Sequence, residues 1–89
     1  MKAIEIIVTG DVQGVSFRYY AKKRAKELGL EGFALNEHDG TVKIFVQGNQ
    51  EELSEFVAWA NEGSPMAAVE KVHTVEVECK DKLKGFEVK

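Results

Sequence analysis

Apolar residues alternate with others at Ile4, Ile6 and Val8, and this period of two places a half-buried strand over about Lys2 to Val8. The period then changes. Phe17, Ala21, Ala25 and Leu28 recur at helical spacing, which predicts a helix over about Phe17 to Leu28 with Ser16 placed to cap it and Gly29 to close it. Alternation returns at Phe33 and Leu35, breaks at Asn36-Glu37-His38-Asp39-Gly40, and resumes at Val42, Ile44 and Val46. The Asp39-Gly40 pair therefore reads as the turn of a hairpin, making the second and third strands antiparallel neighbours. Asn49 followed by Glu52 is a variant capping box, and Leu53, Phe56, Val57 and Ala60 trace the apolar stripe of a second helix ending near Gly63. After Ser64-Pro65, a valine-rich alternating segment from about Val69 to Cys79 predicts a fourth strand. Gly85 and Phe86 open a last short extended piece.

The order is βαββαβ plus a short terminal strand, with no internal sequence repeat. Right-handed crossovers put both helices on one face of an antiparallel sheet, an α+β arrangement of the ferredoxin-like split βαβ kind. That architecture hosts many functions and selects none of them, so the chemistry of a site has to decide.

At 89 residues the chain has room for a single domain, 1–89, and its 44% hydrophobic and 30% charged residues with one proline describe an ordered globular unit. The net charge of −3 gives no general attraction for nucleic acid or an acidic membrane, so an anionic ligand has to be bound locally. The apolar run after Met1 is short and already interrupted by Glu5, so neither a signal peptide nor a membrane span is expected. Cys79 is the single cysteine and cannot form an intrachain disulfide; a cytoplasmic monomer is expected, with Cys79 a small core residue.

The run from Gly10 to Arg18 joins the first strand to the first helix through two glycines and ends in a guanidinium. Backbone N–H groups at a helix N-terminus lack intrahelical partners and carry partial positive charge, which favours an anion there. Gly10 and Gly14 permit positive φ and remove bulk where an anion would sit, and Arg18 can offer a bidentate fork to two phosphate oxygens. Read alone, the same glycines could simply turn the strand, with Arg18 a solvated helix residue. A Walker loop does not fit, because Gly14 is followed by Val15-Ser16 and the lysine is missing; the three-glycine dinucleotide pattern is also absent. Covalent catalysis by Cys79 does not fit either, since the residue five positions on is Lys84 and no arginine closes such a loop.

Asn36, at the end of the second strand, offers a donor and an acceptor to one water, or else ordinary turn chemistry. The first and second strands are expected to run antiparallel, so strand order alone does not bring Asn36 beside Arg18. His38 reads as a loop residue and His73 as a strand residue, with no ligand cluster and no metal expected. Phe56 and Trp59 read as core packing, and Glu51, Glu52 and Glu55 as a solvated helix face.

Taken together, two long signatures go further. Gly10 to Arg18 resembles the acylphosphatase family's pattern G-x-V-Q-G-V-x-F-R at every fixed position, and Gly32 to Val42 resembles its second signature, G-x-x-x-N-x-x-D-G-x-V. The resemblance extends through Leu28-Gly29-Leu30, Gly48, Phe56, Trp59, Gly63-Ser64-Pro65 and Phe86, nearly the whole chain. It implies hydrolysis of acyl phosphates to a carboxylate and inorganic phosphate, without cofactor or metal. It further implies that the backbone amides of Gly14, Val15, Ser16, Phe17 and Arg18, with the Arg18 side chain, hold the phosphoryl group while Asn36 orients the attacking water. Many members carry tryptophan and valine where this chain has Phe33 and Ala34, and a basic residue where it has Asp11, which brings a carboxylate near the implied site. Two other readings stay distinct: a noncatalytic phosphate or acyl-phosphate binding module, and an RNA-binding module faintly suggested by Lys84-Gly85-Phe86, which is misplaced at the chain's end and lacks clear paired aromatics on central strands.

Overall fold

In chain order the elements are β1 (Lys2–Asp11), α1 (Phe17–Glu27), β2 (Glu31–Asn36), β3 (Val42–Gly48), α2 (Gln50–Glu62), β4 (Ala68–Val77) and β5 (Phe86–Val88). They are described over residues 1–89 in a computed structural model. The strands form one sheet in the order β4-β1-β3-β2-β5, with both helices on a single face. This is the ferredoxin-like arrangement expected from the hydrophobic pattern. One pairing differs from a wholly antiparallel sheet: β5 runs parallel to β2, with Gly32 opposite Phe86 and Ala34 opposite Val88. The reason is directional. β4 finishes at the end of the sheet where β2 begins, so the segment after Val77 crosses that end and must return alongside β2 in the same sense.

Between the sheet and the helices lies a core in which Ile6, Val8, Val42, Ile44 and Val46 from the central strands meet Phe17, Ala21 and Ala25 of α1 and Leu53 and Phe56 of α2. An aromatic chain runs through it, Phe17 to Trp59 at 5.1 Å between ring centroids, Trp59 to Phe56 at 5.4 Å, and Phe56 to Phe86 at 6.4 Å. Each buried ring of this kind contributes about 1.5–3 kcal/mol of transfer free energy. The chain of rings pins the start of α1 against α2 and β5, and so fixes the direction in which the next residue, Arg18, leaves the core.

Neither helix begins as its capping residue suggests. Ser16 and Asn49 occupy the N-cap positions without making a side-chain cap bond. In α2 the carboxylates of Glu51 and Glu52 stand in the first turn and offset the helix dipole instead; α1 has no acidic residue there. The hairpin turn is also shifted from the Asp-Gly pair: Gly40 N–H bonds to Glu37 O at 3.2 Å, so His38 and Asp39 form the tip and Gly40, at φ 92°, takes the left-handed position that follows. Cys79 is exposed just past β4 rather than in the core, because the strand ends at Val77 and the chain has already left the sheet.

Candidate functional site

The loop between β1 and α1 is shaped by its backbone. Gly14 has φ 75° and Ser16 φ 61°, so the chain twice enters the left-handed region between strand and helix. A serine held there costs about 1–3 kcal/mol and persists only where the surroundings impose that conformation. Phe17, only 1% exposed and stacked on Trp59, is the anchor that does so. Successive residues of alternating hand turn their N–H groups into a concave surface, and α1 directly behind adds its uncapped first turn. Gly10 serves a different purpose from an anion contact. Its φ of 128° lies at a β-bulge where β4 shifts register, and a Cβ there would collide with the carbonyl oxygen of Ala68.

Arg18 and Asn36 line one cavity of 330 Å³, together with Gly14, Ser16 and Phe17 of the loop. Val12, Tyr19 and Val88 complete its walls. The two residues singled out from separate signatures are thus brought together: β1 and β2 are both antiparallel to β3, so they run in the same sense, against the antiparallel expectation, and finish at the same edge of the sheet. Of the five residues Gly14 to Arg18 expected to hold the phosphoryl group, Val15 alone does not line the cavity; its side chain packs against the core and its carbonyl accepts from the Ser64 hydroxyl at 3.5 Å. Asp11 is exposed at the end of β1 opposite Ala68 and does not line the cavity.

The Arg18 guanidinium has no Asp or Glu partner. It donates to the backbone oxygen of Lys89, whose N–H in turn bonds to Ala34 O at 2.8 Å. The residue that follows β5 thereby holds the arginine at the cavity while further N–H donors of the fork remain for a ligand. The sequence gives no signal for this contact, since it depends on a parallel pairing between segments some fifty residues apart.

A second missed residue is Gln13. Its carboxamide nitrogen donates to Glu37 O and to Thr41 O, each at 2.8 Å, tying the loop before α1 to the turn that begins immediately after Asn36. The turn is fixed from within as well: Asp39 accepts from the Thr41 N–H at 3.0 Å and the Thr41 hydroxyl at 2.7 Å. The hydroxyl bond first, then the backbone bond, holds the exposed Asp39 carboxyl below the usual aspartate range. Asp39 is thus a turn residue.

No three His, Cys, Asp or Glu side chains converge to hold a metal; His38 lies in the hairpin turn and His73 on β4. The open sheet face does carry an aromatic pair that alternation left unclear, Phe33 stacked on Phe45 at 5.5 Å. Phe45 is 2% exposed, and the ammonium groups of Lys80 and Lys89 lie over the two rings at 5.2 and 4.4 Å, so neither offers a free face for stacking a base. No helix is long and apolar enough to cross a membrane.

Comparison with known proteins places the whole chain in one family. The family model described as "Acylphosphatase" matches residues 4–88. An acylphosphatase of Nocardioides sp. is 49% identical over 70 residues, covering 79% of this chain and 71% of that protein. One from Archaeoglobus fulgidus is 40% identical over 88 residues, covering 99% of this chain and 98% of its own length. The crystal structure of the Bacillus subtilis acylphosphatase superposes with a TM-score of 0.94 at 34% identity, over 99% of this chain and 98% of that one.

Proposed function

The chain belongs to the acylphosphatase family and is an enzyme of that class, and from that premise we propose how its cavity hydrolyses an acyl phosphate. The phosphoryl group rests on the N–H groups of the Gly14–Arg18 loop with the Arg18 fork on its oxygens, and Asn36 orients the water that attacks phosphorus. The carboxylate leaves with both electrons of the broken P–O bond, and the attacking water's proton goes to solvent.

The carboxylate leaving group explains why so sparse a site suffices. Its conjugate acid has a pKa of only about 4, so it departs without a general acid. What remains is in-line positioning and compensation of charge on the equatorial oxygens, which fixed N–H donors and a guanidinium supply without reorganisation. A carboxamide is a poor base, so the role assigned to Asn36 is placement of the water. No metal is required by this scheme.

The observation that carries the reading is the meeting, in one cavity, of an uncapped helix start, Arg18 and Asn36. Hydrolysis of acetyl phosphate in excess chelator tests it, comparing the parent with Arg18→Ala and Asn36→Ala. Each substitution is expected to lower kcat/KM by about 100-fold or more, the usual cost of losing one donor to a developing oxyanion. Full activity of Asn36→Ala removes its role, and activity abolished by the chelator refutes the metal-free scheme.

A further inference from the structure

The cavity has an apolar half that phosphate binding does not use. Val12 and Phe17, each 1% exposed, form its floor, while Tyr19 and Val88 stand at its mouth with 61% and 40% of their surface open. Only Met1, Met66 and Val75 among the other large apolar side chains are comparably exposed, so two of the five such residues in the molecule meet at this one opening. Leaving apolar surface open costs free energy in water, and its concentration beside a polar cradle marks a place where a ligand covers it. Tyr19 is also braced: its ring packs edge-on against Tyr20 at 5.5 Å and 83°. At 330 Å³ the cavity reaches the lower end of small-molecule sites, about 300–1,000 Å³, and has more space than a phosphoryl group fills.

We propose that Tyr19 and Val88 form the subsite for the acyl substituent, so that the enzyme selects acyl phosphates whose acyl group is aromatic or otherwise bulky and apolar over acetyl phosphate. The inference rests on the function proposed above. Arg18 and Tyr19 are consecutive in the first turn of α1, so a substrate whose phosphoryl group sits at the guanidinium has its acyl end within reach of the ring. Tyrosine suits the task because it offers a large flat apolar surface with little rotamer entropy to lose.

The test compares kcat/KM for benzoyl and acetyl phosphate, whose leaving carboxylates are of similar basicity, so that their ratio reads binding of the acyl part. In Tyr19→Ala the benzoyl-to-acetyl ratio is expected to fall about tenfold, chiefly through KM for benzoyl phosphate, the low end of what one apolar contact contributes to discrimination. Tyr19→Phe should retain the parent ratio, and Val88→Thr should lower it in the same direction as Tyr19→Ala. Loss by an equal factor on both substrates in Tyr19→Ala overturns the subsite, as does a Tyr19→Phe ratio as low as that of Tyr19→Ala. A parent that hydrolyses neither substrate overturns the hydrolytic reading itself and the subsite with it. An active, Arg18-dependent parent with an unchanged ratio in Tyr19→Ala overturns the subsite alone.

Discussion

Replacing Gln13 with alanine removes the tie between the loop before α1 and the turn after Asn36 while leaving the backbone of both intact. Two side-chain-to-backbone hydrogen bonds of 2.8 Å are lost. Neither acceptor is left bare, because Glu37 O keeps the Gly40 N–H at 3.2 Å and Thr41 O keeps the Glu37 N–H at 2.8 Å. The penalty for an orphaned buried carbonyl therefore does not apply, and the cost is that of the bonds themselves, about 0.5–1.5 kcal/mol each and so about 1–3 kcal/mol together. For a domain of this size that corresponds to a Tm lower by roughly 5–20 °C. Urea denaturation followed by the fluorescence of Trp59, the single tryptophan, packed between Phe17 and Phe56, measures the change close to the site. Acetyl phosphate turnover should fall as well, since Asn36 and Arg18 lose their common reference. A midpoint corresponding to less than about 0.5 kcal/mol of destabilisation, the range of an inconsequential surface change, together with parental activity, would show that the tie does not matter.

Other substitutions test other parts of the fold. Gly10→Ala combines a φ of 128° with a collision against the Ala68 carbonyl, and is expected to destabilise by about 2 kcal/mol or more; an unchanged urea midpoint would mean that β4 is free to move away. Phe56→Ala empties the centre of the core and should cost about 3–5 kcal/mol, which calorimetry would register as a domain near or past its folding limit. Asp39 has a folded-state pKa below its ordinary value, so its bonds to Thr41 stabilise the protein above the usual carboxylate range and are lost as pH falls through the lowered value. The stability gap between the parent and Asp39→Asn should therefore be present at neutral pH and close on acidification below about pH 4, modestly because the group is exposed; a gap that widens in acid contradicts the assignment.

Much of the architecture was legible in the residues because local pattern and global fold agree. The periods at Ile4-Ile6-Val8 and Phe17-Ala21-Ala25 and the hairpin break at Asn36–Gly40 mark elements whose burial follows from side-chain spacing alone, and the structure places them close to the expected bounds. Capping was misread at Ser16 and Asn49, since residue type states what a cap can do and the backbone angle decides whether it does. At Ser16 the missing cap is itself informative: a serine twisted to φ 61° by the anchored Phe17 leaves the helix start open toward the cavity.

Arg18 and Asn36 were nameable in advance from two signatures, each a run of neighbours along the chain. Their meeting was not, because it depends on β1 and β2 running in the same sense on either side of β3 and ending at one edge of the sheet, which long-range pairing sets. The same holds for the parallel β5, whose next residue holds Arg18, and for the Gln13 clamp, whose partners lie 24 and 28 residues away. Side-chain periodicity records which residues are buried, so the chain by itself determined its elements and their apolar faces. Contacts between distant segments leave no period behind, so only the tertiary structure decided that loop, turn and terminal strand close around one cavity.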